Sequence, residues 1–193
     1  MAKTPAGGAR PPRADARRNQ ERILAAAREA FTRHGVDASL NDIARRAGVG
    51  PGTLYRHFPT REALLEAMLA DRYHALAGHA RDLAGTAPPA EAVPRWLSAF
   101  VRDLRAFRGL ATSMKNALYD EGSVLFVSCK EMQVAWDVLV VHAQVAGVVR
   151  QDASPADLLR LAAALAWATE DLPEDTTEAD RLLDLMLTGV MRG

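Results

Sequence analysis

The sequence predicts an all-α chain built as a small head of three short helices followed by a larger helical body. Three observations carry this expectation. Apolar residues recur at helical rather than alternating spacing along most of the 193 residues. Glycine, proline and Ser-x-x-Asp runs fall at the ends of those periods, where helices start and stop. The last two periods are apolar around much of their circumference, as helices buried on more than one side are.

Taken in order, residues 1–14 are Pro, Gly, Ala and Arg, too poor in apolar side chains to fold, so a disordered basic tail is expected. After Asp15, Ile23, Ala27, Ala30, Phe31 and His34 keep a helical period that Gly35 stops. Ser39-Leu40-Asn41-Asp42 reads as a capping box, the serine and the aspartate each satisfying an orphan backbone N–H. Leu40, Ile43, Ala44 and Ala47 then form a short apolar stripe, and Gly48 ends it. Pro51 suits the first position of a third helix, where its missing N–H costs nothing. On that helix Leu54 and Phe58 share one face, Arg56 points away from them between Gly52 and Thr53, and Tyr55 and His57 take the borders. Phe58-Pro59 closes it, because the residue before proline resists the α region.

Thr60 can cap a long fourth helix, in which Leu64, Leu65, Met68, Leu69, Arg72 and Leu76 keep the period to about Ala84. The Pro-rich connector TAPPAEAVP separates it from helices expected near 91–107, 109–118 and 122–147. The last of these contains VLVVHAQVAGVV, β-branched enough to pass for a strand. It has no hairpin partner and helical periods surround it, so it is read as helix. Ser154-Pro155-Ala156-Asp157 is a second capping box, opening a helix over 155–169. After the acidic turn EDLPEDT, Leu182, Leu183, Leu185, Met186, Leu187, Val190 and Met191 define a final helix over 177–191. The expected divisions are the tail 1–14, a head 15–62 and a body 63–193.

Composition bounds the function. One cysteine, Cys129, excludes an internal disulfide framework and fits a reducing compartment. No segment approaches the ~20 apolar residues of a membrane span, and the N-terminus lacks the apolar stretch of a secretory signal; a soluble cytoplasmic protein is expected. The net charge of zero hides an asymmetry. Residues 1–60 hold 11 Lys and Arg against 5 Asp and Glu, and the remainder holds 13 against 19. A basic end suits a polyanion, while basic N-termini are also common without one.

Two short helices joined by a tight, glycine-containing turn, with polar groups on the outer face of the second, describe a helix-turn-helix. Ala44 is small where two helices cross, Gly48 permits the left-handed backbone of the turn, and Leu54 anchors the second helix. An ordinary helical hairpin is the alternative. The outer face favours DNA, since Thr53, Tyr55, Arg56 and His57 supply the hydroxyls, imidazole and guanidinium that phosphates and base edges need. Gly52 lets the backbone approach closely, and Arg61 can reach a phosphate.

SLNDIARRAGVGPGTLYRHFPTREALLEAML, with the preceding RILAAAREAFTRHGVDA, resembles the DNA-binding head of the TetR/AcrR family. The resemblance covers residues 18–69, its G-x-L-Y-x-H-F core is among the more specific signatures, and the rest is similar to an SbtR-like branch. It implies an all-α homodimer of about nine helices per chain, binding a small molecule in the C-terminal domain and dimerising through the last two helices. Carried over by position, Tyr55, His57 and Arg61 hold phosphates, Thr53 touches phosphate or a thymine methyl, and Ser39 presents a helix N-terminus to the backbone. Asn41 sits where some members read a base, and asparagine suits adenine. Pro51 departs from the long polar reader of many members, which leaves the operator sequence open. Arg10, Arg13, Arg17 and Arg18 could enter an adjacent minor groove or simply be solvated.

The expected function is a dimeric repressor released from its operator by a small molecule. Residues 155–169 and 177–191 would make a four-helix dimer bundle, or else pack inside one chain. The fourth helix belongs to both parts, so an effector that shifts it would change half-site spacing. Trp96, Phe100, Phe107, Met114, Phe126, Met132 and Trp136 could line an effector cavity, with Asn116, Cys129, Gln133 and His142 as polar contacts; each has plain core packing as its alternative. An apolar or amphipathic effector fits that lining. Catalysis, cofactors and metal are not expected, since His74 and His79 lie five apart and no phosphate loop or zinc spacing occurs. Two other classes compete: a helical binding protein whose helix-turn-helix no longer reads DNA, and a nonspecific architectural DNA binder. Thr53, Tyr55, His57 and Arg61 argue against the first, and the acidic body against the second.

Overall fold

A computed structural model describes residues 12–106, 120–173 and 177–191. Helix is the regular structure among these residues: α1 (Pro12–His34), a 3-10 turn (Gly35–Asp37), α2 (Leu40–Arg46), α3 (Pro51–His57), α4 (Arg61–Thr86), α5 (Pro89–Ala106), α6 (Val124–Val145), α7 (Pro155–Ala168) and α8 (Glu178–Val190). An isolated antiparallel bridge joins Val149 to Met191. The all-α reading holds, with eight of about nine expected helices described; the segment 109–118 lies outside the described residues. The β-branched run is helical as far as Val145, and Gly147, at φ 77°, supplies the left-handed residue beyond its end.

The chain forms two compact units, divided between Leu64 and Leu65. In the first, α1 buries Ile23, Ala27 and Phe31, α2 buries Ile43 and Ala44, and α3 buries Leu54. The helix expected to begin after Asp15 starts instead at Pro12, so residues 12–14, expected to belong to a disordered tail, form its first turn.

In the second unit α5, α6, α7 and α8 surround one apolar core with the α4 residues from Leu76 to Leu83. At its centre the Trp96 and Trp136 rings stack with centroids 4.5 Å apart, and Phe100 stacks on Trp96 at 5.3 Å. Both indole N–H groups donate to backbone carbonyls, Trp96 to Leu76 and Trp136 to Pro155, each at 2.9 Å. An indole is rarely buried without such a partner. Arg72, at an apolar register position, is also buried, and Asp103 holds it through a 2.7 Å ion pair and its own carbonyl at 2.6 Å. A buried cation left unpaired would cost far more than the pair contributes. Beyond this pair, α4 meets α6 through polar contacts. Ser123 donates to Glu66 (2.8 Å), and His74 bridges Ser128 (3.0 Å) and Glu131 (2.8 Å), the last also held by Arg81 (3.2 Å).

Candidate nucleic-acid interface

The interface is built outward from two caps and a turn. Ser39 caps α2 by accepting from the Asp42 N–H at 3.3 Å. The reciprocal half of the box is not formed as expected: the Asp42 carboxylate accepts from Arg45 at 2.8 Å. Gly48 sits at φ 63°, where an L residue is strained, and the Arg22 guanidinium on α1 donates to its carbonyl at 3.1 Å. Pro51 stands at the first turn of α3, whose N-cap is Gly50.

This scaffold fixes which way α3 faces. Leu54 and Phe58 are buried, Tyr55 is 46% exposed, Gly52 and Arg56 are exposed, and Thr53 and His57 are half-exposed. A Cβ on Gly52 would meet no atom within 4 Å, so nothing on the protein side fills the space beside that backbone. Arg56 lies back along its own helix, Nε donating to the Gly52 carbonyl and Nη2 to Thr53 Oγ1, both at 3.1 Å. With that lone pair occupied, the Thr53 hydroxyl can still donate its proton outward. Asn41 is exposed on α2.

Arg61 is more than a phosphate candidate. Half-buried at the start of α4, it donates Nη1 to the Ala38 carbonyl at 2.6 Å, immediately before the α2 cap. Arg22 and Arg61 thus position the two ends of the helix-turn-helix, and sequence reasoning missed this use of both. For Arg22 the only signal was its place one residue before the apolar stripe of α1. Arg17 and Arg18 fall inside α1, paired with Glu21 (3.0 Å) and Asp15 (2.7 Å) on an exposed surface. Such pairs contribute little to stability. Arg10 lies outside the described residues, as does the side chain of Arg13.

The effector candidates separate into two groups. Trp96, Phe100, Met132 and Trp136 are buried in the stacked core, with both indole N–H groups satisfied. Phe126, Cys129 and Gln133 are half-buried along α6, Gln133 donating to Cys129 Sγ at 3.6 Å, while His142 is exposed. Burial pushes the Cys129 thiol above its ordinary range, with Lys130 opposing. Burial, aided by Cys129 and Asp103 and opposed by Arg72, pushes Tyr73 up to about 12. Phe107, Met114 and Asn116 lie outside the described residues. Among the described residues no cluster of three or more His, Cys, Asp or Glu is placed to hold a metal ion.

Comparison with known proteins places this geometry. The family model for bacterial regulatory proteins of the tetR family matches residues 23–68, and that for the C-terminal domain of SbtR-like transcriptional regulators matches residues 88–192. The chain is 46% identical over 69 residues to the uncharacterized HTH-type transcriptional regulator TtgW of Pseudomonas putida, and equally to the HTH-type transcriptional regulator SrpR of the same species. Those matches span 35% of this chain but only 52% and 32% of the two relatives. Among solved structures, the TetR transcriptional regulator SCO0520 from Streptomyces coelicolor is 37% identical, with a TM-score of 0.75, covering 89% of this chain and 98% of its own. A TetR regulatory protein from Mycobacterium vanbaalenii is 33% identical at a TM-score of 0.72, covering 94% and 100%. With a helix-turn-helix presented this way and both family models matched, the chain belongs to the TetR family of DNA-binding transcriptional regulators.

Proposed function

We propose that the chain is a dimeric repressor that reads a two-fold operator and leaves it when a small molecule binds the body. The observation that carries the reading is the outer face of α3. Thr53, Tyr55, Arg56 and His57 lie together beside the open Gly52 backbone, while Leu54 and Phe58 hold the helix down. Tyr55, His57 and Arg61 take phosphates, Thr53 a phosphate or thymine methyl, Asn41 a base edge, and Ser39 offers the α2 N-terminus. Dimerisation uses residues 155–169 and 177–191. In its support, Leu161, Trp167 and Leu185 are exposed on α7 and α8, Trp167 by 74%.

The effector, apolar or amphipathic, would bind along the half-buried Phe126, Cys129 and Gln133 edge of α6. There it can perturb the polar contacts that α6 makes with α4. Residues 61–64 of α4 belong to the head unit and 65–86 to the body. A molecule binding two α4 positions with different affinity therefore shifts the DNA-binding equilibrium by that difference. The family assignment is to regulators, and no catalytic role is proposed.

The test is fluorescence anisotropy with DNA from upstream of the protein's own gene, a scrambled duplex and a salt series. Specific reading predicts at least ~10³-fold preference at physiological salt, reduced by both Tyr55→Phe and Thr53→Ala. Equal weak binding to both duplexes, with nothing recovered from random DNA by selection, would sink the reading.

A further inference from the structure

One side chain on the outward face of α3 has its orientation fixed by the helix itself. Of the seven residues of α3, Leu54 is buried, and Pro51 and Gly52 offer no side-chain donor. Tyr55 and His57 border the outward face, and Arg56 stands at its centre, opposite the buried Leu54 and Phe58. No acidic residue on α3 neutralises it. Its guanidinium is held all the same, Nε by the Gly52 carbonyl and Nη2 by Thr53 Oγ1, each at 3.1 Å. Two bonds to its own helix set the plane of the group before DNA arrives, so less side-chain freedom is lost on binding.

A guanidinium carries five N–H groups in one rigid plane. Nε and the nearer Nη2 hydrogen form one parallel pair, and the farther Nη2 hydrogen with Nη1 forms another. The helix occupies the first pair, and among the described residues nothing accepts from the second. Beside it the Gly52 backbone is open, since a Cβ there would meet no atom within 4 Å. Two parallel donors entering a major groove match O6 and N7 of guanine; no other base presents two acceptors there. A phosphate accepts the same pair, but phosphates flank the groove, where the border residues Tyr55 and His57 stand. We propose that Arg56 reads a guanine in each operator half-site through its outer Nη1/Nη2 edge, and that Thr53 is the positioning residue that sets this edge. The proposal rests on the reading of the chain as an operator-binding regulator, and names a base which that reading left open.

The experiment is selection from random duplex DNA by the full chain, followed by anisotropy titrations of the selected site and its single-base variants. The parent should select a guanine at one position per half-site, and replacing that base pair should weaken binding about 5- to 150-fold. Arg56→Lys keeps the charge and loses the fork. Preference at that one base pair should then disappear, while the salt slope and the preferences elsewhere in the site stay as in the parent. Thr53→Val, similar in shape but without the acceptor, should lower the same preference, and Thr53→Ser should rescue it. In an Arg56→Lys background, Thr53→Val should have no further effect at that base pair. Thermal melts followed by circular dichroism, expected to match the parent's, separate lost reading from lost fold. An Arg56→Lys variant that keeps the guanine preference, or that weakens every duplex equally, makes Arg56 a phosphate contact; the proposal falls and the regulator reading stands. Unchanged preference in Thr53→Val overturns the positioning role. A parent that selects no sequence at all sinks the regulator reading, and this proposal with it.

Discussion

Replacing Gly48 by alanine tests how the turn of the helix-turn-helix is held. At φ 63° an L residue costs about 1–2 kcal/mol. The new Cβ would also lie 2.2 Å from Arg22 Nη2, so that side chain must swing away and give up its 3.1 Å bond to the Gly48 carbonyl. A net hydrogen bond contributes about 0.5–1.5 kcal/mol, the lower part applying to an exposed one. Together the two effects destabilise the head by about 1.5–3 kcal/mol. All three tryptophans, Trp96, Trp136 and Trp167, lie in the body unit. In urea, helix circular dichroism should therefore show an early transition for Gly48→Ala that tryptophan fluorescence does not follow. In an Arg22→Ala background the bond is already absent, so the same substitution should cost only the backbone part, about 1–2 kcal/mol. The reasoning fails if Gly48→Ala costs less than ~0.5 kcal/mol, or if removing Arg22 leaves its cost unchanged.

Three further expectations follow from the contacts. Arg61→Ala should destabilise the head by about 1–2 kcal/mol through loss of the Ala38 carbonyl bond; were Arg61 only a phosphate contact, stability would hold and just the salt slope of DNA binding would fall, by about one. Ultraviolet titration should find one tyrosine ionising near 12 and lose it in Tyr73→Phe. Because the folded value is raised, stability is undiminished below about 10 and falls as pH rises from there towards 12, the unfolded state losing its proton first. Arg105 donates to the carbonyls of Thr169 (3.2 Å), Leu172 (3.2 Å) and Pro173 (3.0 Å), at and beyond the C-terminus of α7. Arg105→Ala should speed amide exchange there while leaving the α1 amides unchanged.

The head was legible because its signals are local. The Ser39 cap, the Gly48 turn and Pro51 each act within four residues, and the side-chain directions of α3 follow from period alone. The β-branched run of α6 was legible for the opposite reason: period outweighed propensity. What the sequence concealed is long-range. Nothing near Arg61 reveals the carbonyl of Ala38, 23 residues earlier, as its acceptor. Asp42 had two local partners available, the Ser39 N–H and the Arg45 guanidinium, and composition does not say which wins. Trp96 and Trp136 look alike as core or as cavity lining until their N–H acceptors are known. His74, weighed only against His79 on its own helix, in fact meets Ser128 and Glu131 on another.

The continuity of α4 has a mechanical consequence. At about 1.5 Å per residue, Arg61 lies about 37 Å from Thr86 along the helix axis, and Arg72 about 21 Å from it. Under the proposed effector release, α4 acting as a stiff rod pivoting at Thr86 would multiply a sideways step at Arg72 by the ratio of those lengths. A step of about 1 Å at the Arg72–Asp103 pair becomes nearly ~2 Å at Arg61, while hydrogen bonds tolerate only about 0.5 Å of stretch. The effector release proposed above would then need no large opening of the body, only a displacement smaller than the width of a single methyl group.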